Sequence, residues 1–352
     1  MYIKTLRIEN FRNLKRVEIE PHPRLNFFFG ANGAGKTSLL EALVVLSRGR
    51  SFKTGRAEEL SGEDAGAFRI FLQSEYSGRT HRLGLERSGP HWKARQDGQD
   101  LALLSELTRQ VPLVLMEPNS HLLISGSPDG RRRFLDWGVF HVEPAFLEHW
   151  RRYSRLLKQR NAALRERQVR VLDSMDELLA QLGEQLSVFR TAYFKQLVDV
   201  FAKQAPDNAP ELRGVQLEYH PGWKGASLLE ALGRSRKGDL EKGATSQGPH
   251  RADFVLTKDQ RSIRTLLSRG EQKSFAAALL LTQARLLALG GEGPLVLIDD
   301  LVSEFDQVHV QSVLESALSC AGQVWVTGTA APVFPEAHKM FHVEHGTVQE
   351  MV

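Results

Sequence analysis

The chain has 352 residues, 46 Lys and Arg against 42 Asp and Glu, a formal charge of +4 and a pI near 9.2. Its 41% hydrophobic and 25% charged content is that of a water-soluble folded protein, long enough for one large domain or two ordinary ones. The single cysteine, Cys320, excludes intramolecular disulfides and thiolate metal clusters and fits a reducing, cytoplasmic setting.

Residues 1–20 carry Lys4, Arg7, Arg12, Lys15 and Arg16 through their apolar positions, which predicts two short strands around a turn and not a signal peptide. Leu25–Phe29 then reads as a short buried strand. Behind it Gly30-Ala31-Asn32-Gly33-Ala34-Gly35-Lys36-Thr37 fits the phosphate-cradling pattern G-x-x-x-x-G-K-[ST], and 38–47, from Ser38, reads as a helix. In that setting backbone N–H groups and the positive end of the helix converge on a phosphate. Lys36 would reach the β- and γ-phosphates of ATP and the Thr37 hydroxyl would ligate Mg²⁺.

Residues 68–73 and 79–86 read as further strands, with Gly78 and Gly84 nearby as turn residues. From 128 to about 205 the composition becomes helical, with Leu172, Met175, Leu178, Leu179, Leu182 and Leu186 at spacings of three and four. The Pro-rich run 205–210 is expected to break that helix, 215–219 to form a strand, and the charged, Gly-rich run 233–248 to form a mobile loop. Basic residues gather here. Arg131, Arg132 and Arg133 form one cluster, while Arg151, Arg152, Arg155, Lys158, Arg160, Arg165, Arg167 and Arg170 are opposed between 151 and 170 by Glu166 alone. That run reads as a solvated helix face or as a surface for a phosphate backbone; the 131–133 cluster reads equally as ion pairs with acids of the following helix.

Toward the end of the chain, Ser268-Arg-Gly270-Glu271 is a capping box opening a helix over 271–289. A helix start with a free serine hydroxyl also binds anions, so the two readings coexist. Leu295–Ile298 followed by Asp299-Asp300 places acids at the tip of a buried strand. Asp299 there would hold Mg²⁺, and Asp300 would orient or deprotonate an attacking water. The two ends of the chain thus predict an α/β nucleotide-binding lobe, 1–110 and 248–352, with a mainly helical lobe at 111–247 inserted between them. The most apolar stretch, 275–289, is too short and too polar to span a bilayer.

Taken together, the P-loop with Asn32 at its third position, the serine motif at a helix start and the apolar-Asp-Asp string resemble an ABC-type ATPase head of the Rad/SMC-like kind. Ile8-Glu-Asn-Phe-Arg12-Asn13, Ser127-Pro-Asp-Gly-Arg-Arg-Arg-Phe-Leu-Asp136, Gly248-Pro-His-Arg-Ala-Asp253 and Gln323-Val-Trp-Val-Thr-Gly-Thr329 narrow that to a resemblance to the RecF family over essentially the whole chain. The resemblance implies an ATP-dependent homodimer in which Ser268, Gly270 and Glu271 of one subunit complete the site of the other. It also implies a nucleotide contact from Arg12 and a D-loop role for Asp306 across the interface. Implied too are sequence-independent binding of duplex or gapped DNA, weak ATPase activity used as a timer, and work with RecO and RecR in loading RecA.

The switch position holds Thr327-Gly-Thr329 in place of the histidine common in transporters, and Asp300 stands where many ABC proteins have Glu, which fits slow hydrolysis. Gln73 and Glu117 compete for the Q-loop position. Arg251 reads as an ion pair or as a nucleotide or DNA contact, and His250 as a packed residue. A short SMC-like structural clamp is the alternative function. A transporter ATPase lacks its switch histidine here, and a nuclease lacks a further acidic cluster in sequence.

Overall fold

Strand alternation at the N-terminus builds the first sheet. Tyr2–Phe11 and Leu14–Ile19 form the expected hairpin, and Ala67–Tyr76, Arg79–Ser88, His91–Gln96 and Gln99–Asp100 extend it as an antiparallel sheet with Leu14–Ile19 at the far edge. Register puts Leu6 opposite Leu72 and Leu72 opposite Leu83, and Ile8 opposite Ile70 and Ile70 opposite Leu85, so two apolar rows cross the strands on one buried face. Our computed structural model describes residues 1–62, 65–76, 78–208, 213–305, 307–330 and 338–351.

A second sheet carries the strands expected to be buried. Its spatial order is Leu113–Met116, Leu295–Ile298, Gln323–Gly328, Leu25–Phe29, Lys339–Glu344 and Thr347–Met351; all are parallel except the last. Every residue of Leu113–Met116, Leu295–Ile298 and Gln323–Gly328 is buried, as continuous apolar runs in parallel sheets require. Phe28 stacks at 4.9 Å on both Trp325 and Phe341 from the strands beside it. Because the strands run the same way, their carboxyl ends share one edge. That edge presents Gly30, Glu117, Asp299 and Thr327, the place where open α/β sheets bind ligands.

The chain divides into two compact units, Met1–Ser120 with Ala277–Val352, and His121–Ala276. Residues 111–120, expected with the helical lobe, cluster in the first unit, where Leu113–Met116 pairs with Leu295–Ile298. Residues 248–276, expected with the nucleotide-binding lobe, cluster in the second, where Asp253–Lys258 pairs antiparallel with Gln216–His220. This small sheet is completed by Arg261–Ser262. The helices Pro128–Val142 and Leu172–Asn208 pack on it, and Phe146–Arg165 and Leu228–Lys242 pack on Leu172–Asn208. Leu172, Leu179 and Leu186, spaced by sevens along the longest helix, are fully buried.

Two expectations are corrected. The helix Leu172–Asn208 continues through Pro206, so 205–208 do not break it, and 209–210 lie outside the described residues. Of the run expected as a mobile loop, 233–242 belongs to the helix Leu228–Lys242, and only 243–248 is non-helical. Ser227 caps the start of that helix by accepting from the Glu230 N–H, and Gly243 closes it at φ 63°. Its charged residues concealed one buried anchor: Asp239 is fully buried against Arg160 at 3.0 Å. No helix among the described residues is long and apolar enough to cross a membrane.

Candidate functional site

The P-loop turns out of Leu25–Phe29 and enters the helix Lys36–Arg48. Gly30 is at φ 153°, and a Cβ there would lie 2.1 Å from the Val343 carbonyl oxygen, so only glycine passes. Gly35, at φ 119°, occupies the helix N-cap. Asn13 braces the loop from the first hairpin: its Nδ2 donates to the Gly33 carbonyl at 3.1 Å, and its Oδ1 accepts from Ser38 Oγ at 2.9 Å.

Lys36 is 7% exposed, and its Nζ donates to the carbonyls of Gly30 at 2.7 Å and Ala31 at 2.9 Å. Burial lowers its pKa, opposed by the charges of Asp300 and Asp299. An ammonium carries three N–H donors, so one remains for an anion held in the loop.

Opposite the loop, Asp299 ends Leu295–Ile298, and its Oδ1 accepts from Thr37 Oγ1 at 3.0 Å and Thr327 Oγ1 at 2.7 Å. Burial raises the Asp299 carboxyl while those two hydroxyls pull it back down. Asp300 adopts left-handed backbone, φ 56° and ψ 42°, and its Oδ1 accepts from Ser303 Oγ at 2.8 Å. Glu117 ends Leu113–Met116 beside Asp299; burial, then the charge of Asp299, pushes its carboxyl up to about 7. These groups line an open cleft of about 1220 Å³ with Asn32, Lys53 and Arg12. Hydroxyl and carboxylate oxygens converging from Thr37 and Asp299 are the hard donors a magnesium ion takes, and the glycine loop with Lys36 suits a polyphosphate. The residues fit both groups.

Arg12, also in left-handed backbone, reaches the cleft with its guanidinium held by both Glu41 oxygens, at 3.0 and 2.7 Å, and by the Glu59 carbonyl. Between the two rivals for the Q-loop, Glu117 lines the cleft, whereas Gln73 sits within the antiparallel sheet opposite Arg82. Lys53 and Glu41 went unread in the sequence. Glu117 had a usable signal, since Leu113–Met116 followed by an acid repeats the pattern of Leu295–Ile298 and Asp299.

Comparison with known proteins now decides the family. A model described as the RecF/RecN/SMC N terminal domain matches residues 2–350. The DNA replication and repair protein RecF of Xanthomonas axonopodis pv. citri is 43% identical over 361 residues, covering 99% of this chain and 98% of that relative. Its counterpart from Stenotrophomonas maltophilia is 42% identical over 360 residues, with 99% of both chains covered.

The chain belongs to the RecF family.

Solved structures agree. One of the recombination mediator protein RecF-ATP in the RecFOR pathway is 25% identical with a TM-score of 0.89, covering 100% of this chain and 98% of that one. An Smc head bound to the C-winged helix domain of ScpA, 14% identical with a TM-score of 0.60 over 100% of this chain and 97% of that one, shares the fold. The ABC-like ATPase-head fold with a central helical region is therefore the fold of this RecF-family chain.

Two of the strings that carry the RecF resemblance meet as buried structure in the second unit. Arg131 is 9% exposed; its guanidinium pairs with both Asp253 oxygens, at 2.7 and 3.0 Å, and donates to the Gly126 carbonyl. Its guanidinium is thus engaged with partners inside the chain, where the sequence offered it as a candidate for the DNA backbone. Arg132 is half-buried, donates to the Ala252 carbonyl and lies 3.7 Å from Asp129; Arg133 is exposed and paired with Asp129 in its own helix.

Arg190 is held by both Asp136 oxygens and donates to the Pro249 carbonyl at 2.7 Å. His250 Nε2 faces the Thr245 carbonyl at 3.0 Å and must carry the proton, so Nδ1 accepts from the Tyr153 hydroxyl at 2.7 Å. Burial lowers His250 to about 4. It is packed, with partners the sequence did not reveal.

On Phe146–Arg165 the outcome divides. Arg160 is fully buried against Asp176 and Asp239, whereas Arg151, Arg152 and Arg155 are exposed, with Arg152 3.8 Å from Glu148. The capping box forms as expected: the Ser268 N–H donates to Glu271 Oε2 at 2.7 Å, and the Glu271 N–H donates to Ser268 Oγ at 3.3 Å. Ser268 and Gly270 are exposed at the start of the 21-residue helix Arg269–Leu289. Asp306 lies outside the described residues.

Proposed function

We propose that this chain is an ATP-gated DNA-binding protein of repair and recombination, dimerising on ATP and acting at gapped or single-strand–double-strand DNA. The observation that carries the reading is the convergence of Lys36, Thr37, Asp299, Asp300 and Thr327 at one sheet edge. Family membership supports the pathway: RecO, RecR and RecA are the expected partners, in the cytoplasm.

Within the site, Lys36 and the P-loop amides of Gly33, Ala34, Gly35, Thr37 and Ser38 hold the phosphates, while Thr37 and Asp299 offer oxygens to the metal. Magnesium, when bound there, neutralises charge on the phosphate oxygens. In hydrolysis an attacking water gives its proton to the Asp300 carboxylate as its oxygen bonds the γ-phosphorus. The bond from phosphorus to the β-phosphate oxygen breaks, and ADP departs with that electron pair. An aspartate is one methylene shorter than glutamate, which suits a slow timer.

Every residue lining the cleft comes from the first unit, while Ser268 and Gly270 are exposed in the second. We assign Ser268, Gly270 and Glu271 to capping nucleotide held by a second protomer, with Asp306 at that interface. The exposed Arg133, Arg151, Arg152 and Arg155 are the candidates for the DNA backbone, with Arg132 at their margin.

Affinity for gapped duplex, measured across a salt series with and without ATP, tests this reading. Log affinity is expected to fall linearly with log salt and to rise with ATP; a flat salt series or indifference to ATP would contradict the clamp.

A further inference from the structure

Thr327 is fully buried near the end of Gln323–Gly328, and its hydroxyl is spent on two consecutive residues of the neighbouring strand's exit. Oγ1 donates to Asp299 Oδ1 at 2.7 Å and accepts from the Asp300 N–H at 2.8 Å. A hydroxyl has one hydrogen, so the donation to Asp299 leaves none for a phosphate oxygen.

Both bonds bear on the chemistry of the acids. Asp299 Oδ1 receives the hydroxyls of Thr37 and Thr327, which leaves Oδ2 as the oxygen without a hydrogen-bond partner among the described residues. Asp300 stands in left-handed backbone, which an aspartate tolerates better than most residues with a Cβ, and its neighbours hold it there. The Asp300 N–H bond to Thr327 is one such hold; the Ser303 hydroxyl on Asp300 Oδ1 is another.

We propose that Thr327 is a positioning residue that sets the Asp299 carboxylate and the Asp300 turn for hydrolysis, and that it does not sense the terminal phosphate. This rests on the ATPase reading above and deepens it. A phosphate-sensing residue would favour ATP over ADP in binding; a positioning residue leaves that preference alone and changes the rate.

Thr327→Val keeps the shape and removes the hydroxyl, Thr327→Ser keeps the hydroxyl, and Thr327→Ala removes hydroxyl and methyl together. For the full chain, fluorescent ATP and ADP analogues report affinity with magnesium and in EDTA, and single-turnover assays report hydrolysis. Thr327→Val is expected to slow hydrolysis at least about tenfold, keep the ATP-to-ADP affinity ratio within about twofold, and be rescued to within about threefold by Thr327→Ser. Should the valine protein not fold, the alanine protein carries the same expectations.

A tenfold loss of ATP affinity relative to ADP would make Thr327 a phosphate contact and overturn the proposal. So would unchanged hydrolysis in Thr327→Val, or a serine variant as slow as the valine one. A wild-type chain that binds neither nucleotide would overturn the nucleotide reading itself, an outcome visible before any variant is made.

Discussion

In the second unit Arg160 is fully buried and meets two carboxylates, Asp176 and Asp239, with the Thr245 hydroxyl beside them. In the first unit Lys36 is nearly as buried, yet among the described residues its hydrogen bonds go to two backbone carbonyls at the rim of an open cleft. Taking charge out of water is costly unless it is paired. Where pairing is completed within the chain, the charge builds structure. Where it stops at neutral oxygens beside a cleft, the charge is set for a ligand that is itself anionic.

The comparison breaks most readily at Asp239. Asp239→Ala leaves Arg160 in the interior with Asp176 alone and takes the acceptor from Ser246, and is expected to cost about 3 kcal/mol in a urea titration. A shift within about 0.5 kcal/mol would erase the distinction between the two regions.

Acid offers a second test on the same unit. His250 is neutral in the folded chain down to about pH 4, while the unfolded imidazole titrates near 6.5. Between those values the unfolded chain binds the extra proton, so the His250 contribution is complete above pH 6.5 and is lost as the pH falls toward 4. The loss amounts to about 3 kcal/mol at the low end. His250→Gln, which can keep both hydrogen bonds without titrating, should flatten the stability profile in that window; an equally steep profile would remove His250 as its cause.

Lys36→Met should behave in the opposite way. ATP affinity is expected to fall at least about 100-fold, or about 2.7 kcal/mol of binding, with the urea midpoint held or raised. A destabilised chain that still binds ATP would reassign Lys36 to structure. Arg155→Ala carries the smallest expected effect: stability within about 0.5 kcal/mol of wild type and the salt slope of DNA binding reduced by about one. An unchanged slope would clear Arg155 from the DNA surface.

What was legible in the sequence follows the same division. The P-loop, the capping box and the strand ending at Asp299 are local patterns, each written in a handful of consecutive residues. Arg131 with Asp253, and Arg160 with Asp239, join residues far apart in the chain, and nothing near either arginine announces its partner. The basic run on Phe146–Arg165 therefore looked uniform, although one of its arginines is core and others are surface. The helix Leu228–Lys242 was hidden by the same cause, since its buried face is anchored by an acid. Glu117 shows the reverse case, a local signal present but weaker than its duplicate at Asp299.

ATP-gated dimerisation through a site shared by two protomers is the central claim, and light scattering of Asp300→Asn tests it most directly. Asparagine tolerates the left-handed backbone of this position, so the turn is kept while the base is lost. With ATP and magnesium the variant should run as a stable dimer, without nucleotide as a monomer, and Lys36→Met as a monomer in both. Monomers throughout for Asp300→Asn would contradict the account.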